Sequence, residues 1–198
     1  SFIVSSAATF LALLIGLLAA IGFSRYQAGG HKLALAILTV RGIPTIIVAI
    51  PLLIMLGWLG LRDTHIGLIL AYVALTVPFA FWMLKSFIDD VPHEIEEAAM
   101  MDGMSRWQAH FRVTLPLIKG GVVATALFIF ILNWSEFLLA VVLTEKTVVT
   151  MPINMFLYSG VFGIQAALAT VAALPIVLVG LLIHKHLARG FTLGAVKR

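Results

Sequence analysis

The 198-residue sequence contains no cysteine, and only 11% of its residues are charged. The absence of cysteine excludes a disulfide framework, a thiol nucleophile and a cysteine-ligated metal site. The charged fraction lies far below the roughly 25% that is usual in a soluble domain. With 62% hydrophobic residues and a mean hydropathy of +1.11, the composition predicts a protein of the lipid bilayer.

Several site chemistries are missing as well. No G-x-x-x-x-G-K-[ST] segment occurs, so a phosphate loop for ATP is not predicted. The apolar segments contain no Ser/His pair, His-x-x-x-His pair or pair of carboxylates, which argues against an intramembrane enzyme. No metal site is predicted. The net charge of +4 does not suggest nucleic-acid binding, because the basic residues flank the apolar segments instead of clustering on a soluble face.

Five long apolar segments are present instead. Each is close to or longer than the roughly 20 residues that a helix needs to cross about 30 Å of hydrocarbon. We predict an all-α, polytopic membrane protein that forms a single transmembrane domain over residues 1–198, with spans over residues 2–23, 33–58, 66–84, 120–143 and 165–183. The chain starts at Ser1 without the features of a signal peptide, so we expect that a segment precedes it.

Lys and Arg indicate the orientation, because cytoplasmic loops carry an excess of them. Ten of the 13 lie at or beyond the same ends of the predicted spans: Arg25, Lys32, Lys85, Arg106, Arg112, Lys119, Lys185, Arg189, Lys197 and Arg198. Only Arg62 and Lys146 lie in the opposite loops, and Arg41 lies within a span. This bias predicts a cytoplasmic C-terminus and places Ser1 outside.

A polar connector, residues 86–119, separates the third and fourth predicted spans. Pro92 and the acidic residues that follow it suit the first turn of a helix. Gly103, after an aspartate, predicts a break, and the spacing from Ser105 to Gln108 predicts a capping box at the start of a second helix. We therefore predict two short helices with a bend at Gly103, on the cytoplasmic side.

The connector also contains a spaced motif. Glu97-Ala98-Ala99 is followed by three residues, Gly103, nine residues and Val113-Thr114-Leu115-Pro116. This resembles the EAA loop, E-A-A-x3-G-x9-I-x-L-P, of the inner-membrane permeases of binding-protein-dependent ABC importers, with Val113 in place of Ile. Residues 133–139 and 189–198 resemble segments of the carbohydrate branch of that family, in particular the second permease subunit of the maltose type. The resemblance implies a sixth span ahead of Ser1.

The resemblance implies how the chain works and with which partners. A separate ATPase would dock on the connector, with ATP and Mg²⁺ on the ATPase and no cofactor on this chain. The implied partners are two ATP-binding subunits, a second permease subunit and an extracytoplasmic solute-binding protein, in a bacterial inner membrane. The implied coupling residues are Glu97, Ala98, Ala99, Met101, Asp102, Gly103, Trp107, Arg112, Leu115 and Pro116. Trp107 and Phe111, four residues apart, would share one helix face.

Charged residues inside the predicted spans are candidates for the substrate path, because they are costly in lipid. Glu136 lies near the outer end of its span with Asn133 and Trp134, and this set offers carboxylate, amide and indole groups to a hydroxyl-rich solute. A structural contact between helices is an equally open interpretation of Glu136. For Arg41, snorkelling or an inter-helix ion pair is favoured over contact with substrate.

The outer loop after the fourth span contains Met151, Pro152, Tyr158 and Gly160. In the resembled subunit this loop reaches the docked binding protein; packing on the helix ends is the alternative. Two other function classes are considered, an ion-coupled secondary transporter and an intramembrane enzyme, and neither explains the EAA spacing. The solute is left open among sugars, oligosaccharides, polyols and glycerophosphodiesters.

Overall fold

The computed structural model describes residues 1–40 and 42–194, and for residues 31, 38 and 182–194 it describes the backbone alone. Arg41 and the last four residues of the segment 189–198 lie outside the described residues. The described residues form helices joined by turns and loops, with no strand among them, which confirms the predicted all-α class. The helices are α1 Phe2–Tyr26, α2 Gly30–Val40, α3 Thr45–Trp58, α4 His65–Asp89, α5 His93–Met101, α6 Arg106–Ala109, a π-helix His110–Thr114, α7 Leu115–Leu117, α8 Lys119–Ser135, α9 Leu138–Leu143, α10 Met151–Leu157 and α11 Phe162–Gly194.

Three of the described helices are long and apolar enough, by length and composition, to cross a membrane: Phe2–Tyr26, His65–Asp89 and Phe162–Leu181. They correspond to the first, third and fifth predicted spans. Arg106–Leu117 and Lys119–Ser135 pass the same test as a pair that is bent by 74°. The number of spans in the membrane therefore stays a prediction.

The second and fourth predicted spans are not continuous helices. Residues 33–58 are divided between α2 and α3, since Pro44 has an extended ψ of 133° and starts a new helix. Pro51, a second proline in the same predicted span, lies inside α3. Residues 120–143 are divided between α8 and α9, because Glu136 has a ψ of 119° that ends the first helix. A proline or an intramembrane acid thus marks each break.

The centre of the structure is the close packing of α1 on α4. A Cβ atom added to Gly16 would lie 2.5 Å from the Cβ atom of Ala80, so the two backbones approach to a distance that only glycine allows. Ala8, Ala12 and Ala20 on α1 are fully buried. Small residues are what brings helices together in lipid, where apolar area alone gives little drive to associate. Helix α8 packs against both α1 and α4.

The connector folds as its sequence predicts. Helix α5 ends at a turn in which Gly103 has a φ of +90°, a conformation that favours glycine. The Ser105 hydroxyl accepts from the Gln108 backbone N–H, and the Gln108 side chain accepts from the Ser105 N–H, which confirms the capping box. The second helical stretch, Arg106–Leu117, then meets α8 at the 74° bend.

Candidate functional site

Most of the predicted coupling residues lie on the outer surface of the connector. Met101 is 88% exposed and Trp107 is 57% exposed. Trp107 stacks on Phe111 with ring centroids 6.0 Å apart and an interplanar angle of 20°, which confirms the shared face. The other exposed members of the set are Glu97, Ala98, Asp102, Gly103, Arg112 and Pro116. This is an apolar patch with charges beside it, on a surface that no other described part of the chain covers.

Ala99 and Leu115 differ from the rest of the set because they face inward. Ala99 is 7% exposed and Leu115 is half-buried against the core near Ile118. Gly103 has open space around it, since a Cβ atom added there would meet nothing within 4 Å. Its positive φ, and not crowding, is therefore what requires glycine.

A buried cluster behind this surface was not predicted. Glu96 is 5% exposed, and its Oε1 accepts from Arg25 Nε at 2.9 Å and from the Thr114 hydroxyl. Its Oε2 lies 3.2 Å from His110 Nδ1, and the other nitrogen of that ring, Nε2, lies 3.0 Å from the hydroxyl of Tyr26. These five residues are referred to below as the Glu96 junction. They join the end of α1 to both helical stretches of the connector.

The charge on Glu96 is stabilised by its partners. Burial raises the pKa of this carboxyl, but the hydrogen bonds from Thr114 and Arg25 and the charge of Arg25 outweigh burial and hold the pKa below its usual value. The sequence predicts for Glu96 only a place in the first turn of a helix, and for Arg25 only a share in the excess of basic residues. In the structure Glu96 lies three residues before Ala99, and both are on the buried face of α5.

A cavity of about 380 Å³, called the membrane cavity below, lies between α3, α4 and the break between α8 and α9. Two of the predicted substrate-path residues, Asn133 and Glu136, line it. Asn133 Nδ2 donates to Thr9 Oγ1 at 3.2 Å, and Glu136 Oε1 accepts from the Leu139 N–H at 3.0 Å. Both residues thus make structural contacts and also face the cavity. The polar residues that line it are Thr45, Tyr72, Thr76, Asn133 and Glu136.

Tyr72 and Thr76 were missed by the sequence analysis, because hydroxyls within an apolar helix give no periodic signal. The hydroxyl of Tyr72 donates to the main-chain oxygen of Glu136 at 3.1 Å, and so holds the α8–α9 break against α4. Thr76 donates to the carbonyl of Tyr72 at 2.7 Å within the same helix. One side of the cavity is therefore built from hydroxyl groups whose positions are fixed by hydrogen bonds.

Trp134 does not line the membrane cavity and contacts α11 instead. Its Nε1 donates to the carbonyl of Ala172 on α11 at 3.0 Å. It lines a second cavity, of about 310 Å³, together with Met151 and Pro152 from the predicted outer loop. The structure does not bring Trp134 together with Glu136 around one cavity, although the two are close in sequence.

The remaining outer-loop candidates lie around α10. The backbone N–H of Met151 donates to Ser1 Oγ at 2.6 Å, which ties the start of α10 to the start of α1. Tyr158 and Gly160 lie in the turn after α10, both exposed, and Gly160 has a φ of +103°. They present an accessible surface at the end of the molecule opposite the connector.

A second acid-centred cluster, at this same end, was also missed. The carboxylate of Asp63 accepts four backbone N–H groups at 2.9–3.1 Å, those of Glu145, Lys146, Thr147 and Val148. The N–H of Asp63 donates to the carbonyl of Leu143. Burial acts to raise the pKa of Asp63, but the four N–H donors hold it far below its usual value. We call Asp63 with the backbone of residues 145–148 the Asp63 junction. It joins the α3–α4 turn to the loop after α9.

Within the described residues, no three His, Asp or Glu side chains are arranged to hold a metal ion. The polar side chains of the candidate sites therefore lie in four places. These are the Glu96 junction, the Asp63 junction, the membrane cavity and the exposed connector surface. In the Glu96 junction the hydroxyls of Thr114 and Tyr26 lie beside the Glu96 carboxylate and the His110 ring, and all four side chains are engaged in contacts between helices.

Residues 12–193 match the family described as the inner membrane component of binding-protein-dependent transport systems. Among curated proteins, the chain is 35% identical to the Inner membrane ABC transporter permease protein YcjP of Escherichia coli, covering 100% of this chain and 72% of that protein. It is 34% identical to the Trehalose transport system permease protein SugB of Mycobacterium tuberculosis, covering 96% and 72%.

A solved structure shares the fold. The inward-facing MetNI methionine ABC transporter superposes with a TM-score of 0.73, over 98% of this chain and 92% of the matched chain. The sequence identity in that alignment is 16%, so the likeness concerns the fold alone.

Proposed function

Because the chain belongs to the family of inner membrane components of binding-protein-dependent transport systems, we propose that it forms half of the translocation path of an importer for a sugar or polyol. The observation that carries this proposal is the exposed connector surface with its EAA spacing. It is a docking surface on a chain whose sequence has no phosphate loop, so the energy would enter from another subunit.

The solute class is supported by two features. One relative is named as a trehalose permease, and the 189–198 segment resembles the carbohydrate branch of the family. The membrane cavity offers hydroxyl, amide and carboxylate groups from Tyr72, Asn133 and Glu136, which hydrogen-bond the hydroxyl groups of sugars and polyols. A cavity of about 380 Å³ in a single chain would be completed by a second permease subunit.

The assembly we propose follows from the two exposed ends. Two ATPase subunits, which hold ATP and Mg²⁺, would dock on the connector in the cytoplasm, where the C-terminus would also lie. A solute-binding protein would dock at the opposite end, on the turn with Tyr158 and Gly160 and on the adjoining Met151-Pro152. The excess of Lys and Arg at the connector end supports this orientation.

The test uses the whole transporter, in which this chain is co-expressed with the proposed ATPase and second permease subunits and reconstituted in liposomes. A loaded binding protein should stimulate ATP hydrolysis and uptake of the solute. Gly103→Asp should insert normally but lose uptake or ATPase docking, since a side chain would project from the centre of the docking surface. Normal transport by that variant would overturn the docking role of the connector.

Gly60→Asp is the matched control. Gly60 also has a positive φ, +67°, and open space around its Cβ position, but it lies at the opposite end of the molecule. Both variants therefore carry similar backbone strain, and only Gly103→Asp should uncouple ATP hydrolysis from uptake. Uptake that follows an imposed ion gradient without ATP would favour a secondary transporter instead.

A further inference from the structure

We propose that the Glu96 junction joins the connector and α1 into one mechanical unit, so that an ATPase which displaces the connector moves α1 as well as α8. This inference rests on the function proposed above. Arg25 and Glu96 are positioning residues in this mechanism, since they lie away from the membrane cavity.

Helices α4 and α8 are attached to the connector by the chain itself. Helix α1 is 60 or more residues away in sequence, and its link to the connector is made by side chains. Arg25 pairs with Glu96 across 71 residues, and Tyr26 contacts His110 across 84. These contacts are the polar link between α1 and the connector, beside an apolar cluster that contains Ile21, Val91 and Ile118.

The geometry and burial of Arg25 and Glu96 strengthen the contacts between α1 and the connector. The guanidinium of Arg25 binds at two points, Nε to the Glu96 carboxylate and Nη2 to the carbonyl of Val91, both at 2.9 Å. Two bonds from one planar group fix its direction as well as its distance. The side chains of Arg25 and Glu96 are 5% and 7% exposed, so parting them would leave a buried charge without its partner. The junction thus resists separation more than an exposed ion pair would.

The junction also holds both halves of the connector. Glu96 lies on α5, before the bend at Gly103, while His110 and Thr114 lie after it. Because one carboxylate contacts Arg25, His110 and Thr114, the two stretches close around the end of α1. A push on either stretch would reach the same guanidinium.

Helix α1 is placed to pass the displacement to the cavity. It lies in backbone contact with α4 at Gly16, and further along its length Thr9 accepts a hydrogen bond from Asn133. Asn133 lines the membrane cavity. A shift of α1 would therefore move a cavity-lining residue directly, in addition to the tilt that α8 receives from the chain.

The deciding experiment measures distance. The chain has no native cysteine, so Ala28→Cys, just beyond α1, and Glu94→Cys, on α5, give a clean pair of spin-label sites in a transporter assembled with cysteine-free partner subunits. Both positions are exposed. We expect the label distance to be equal in the nucleotide-free and vanadate-trapped states. With Arg25→Gln added, the distance should differ between the two states. A distance that changes in the parent pair, or stays constant with Arg25→Gln, would overturn the proposal.

A functional measurement accompanies it, with trehalose as the test solute. Arg25→Gln and Glu96→Gln should assemble with the ATPase but transport less solute per ATP, by about fivefold or more. The double variant should be no worse than either single variant, because both remove the same contact. Arg25→Lys keeps the charge but lacks the planar group that makes both bonds. It should therefore transport more solute per ATP than Arg25→Gln does, but less than the parent. A purely structural role for Arg25 would not predict this partial recovery. Additive losses, or unchanged ratios, would contradict the proposal.

Lys32→Gln is the matched control, since Lys32 is an exposed cation a few residues beyond α1. It should leave both the distance and the transport ratio unchanged. Failure of the proposed function would look different. In that case the parent transporter would not copurify with an ATPase or respond to a loaded binding protein, whatever the state of the junction.

Discussion

The two junctions lie at opposite ends of the helices and solve the same problem with different chemistry. Each places one carboxylate between two segments distant in sequence. Glu96 is buried and takes its partners from three side chains on two other helical elements, α1 and the π-helix. Asp63 is half-buried and takes its partners from consecutive main-chain N–H groups of one loop. The first junction depends on several specific residues, and the second on one acid and the backbone shape around it.

The difference predicts how each junction fails. Removing one side-chain partner from the Glu96 junction leaves a buried charge behind, which is costly. Removing the acid from the Asp63 junction leaves N–H groups near the surface, where water replaces much of what is lost. Side-chain substitutions should therefore be more damaging at the connector end. At the opposite end, the tight main-chain packing around the turn should be the sensitive feature.

The largest effect is expected for Arg25→Met. The substitution removes the cation and leaves Glu96 buried without its charge partner, which should lower the free energy of unfolding by about 3–5 kcal/mol. Thermal unfolding of the purified chain in detergent measures this. Replacing both partners, with Arg25→Met and Glu96→Leu together, should recover part of the loss. A double variant that is less stable than Arg25→Met alone would contradict the assignment of the loss to an unpaired charge.

Gly67→Ala should be the next most damaging, at the Asp63 end. A Cβ atom at Gly67 would lie 2.1 Å from the main-chain oxygen of Leu61, and backbone cannot move aside as a flexible side chain can. We expect a loss of about 1–3 kcal/mol in thermal unfolding, as for other overpacked sites. Gly120→Ala is the control, because a Cβ atom there meets nothing within 4 Å. Equal stability of the two variants would show that the turn is not limited by main-chain packing.

Asp63→Asn should have a smaller effect. The amide oxygen can accept some of the four N–H groups, but the amide nitrogen cannot, so a loss of about 1–2 kcal/mol is expected. Limited proteolysis within residues 144–150 gives a local reading and should become faster. Glu145→Gln removes only the exposed ion pair with Arg62 and should change stability by less than about 1 kcal/mol. If the two variants match, the four N–H contacts add nothing beyond a surface charge.

What could be predicted from the sequence was local. Ser105 and Gln108 are three residues apart, so their capping box depends on few neighbours, and Gly103 alone sets the turn. The family spacing placed the exposed coupling residues in the same way. Pro44 and Pro51 both lie in the second predicted span, yet only Pro44 precedes the start of a helix, and residue type alone does not distinguish the two.

The junctions could not be predicted, because their partners are far apart in sequence. Arg25 and Glu96 are separated by 71 residues, and nothing in either segment indicates the other. Glu96 and Glu97 are adjacent residues of the same type, but Glu96 is buried and Glu97 is exposed. Asp63 binds main-chain groups, which no residue pattern in the loop reveals.

The smallest effect, and the one that compares the two carboxylates directly, is the dependence of stability on pH. The pKa of each carboxyl is lowered in the folded protein, so each contributes stability above its unfolded pKa of about 4 and loses it as pH falls through the folded value. The thermal midpoint should therefore change little between about pH 7 and pH 5 on account of these groups, and fall below about pH 4. Glu96→Gln and Asp63→Asn should each flatten that fall, since one linked proton is removed in each case. If neither variant alters the acid limb, the stabilisation of these two charges by their partners is not what holds the junctions together.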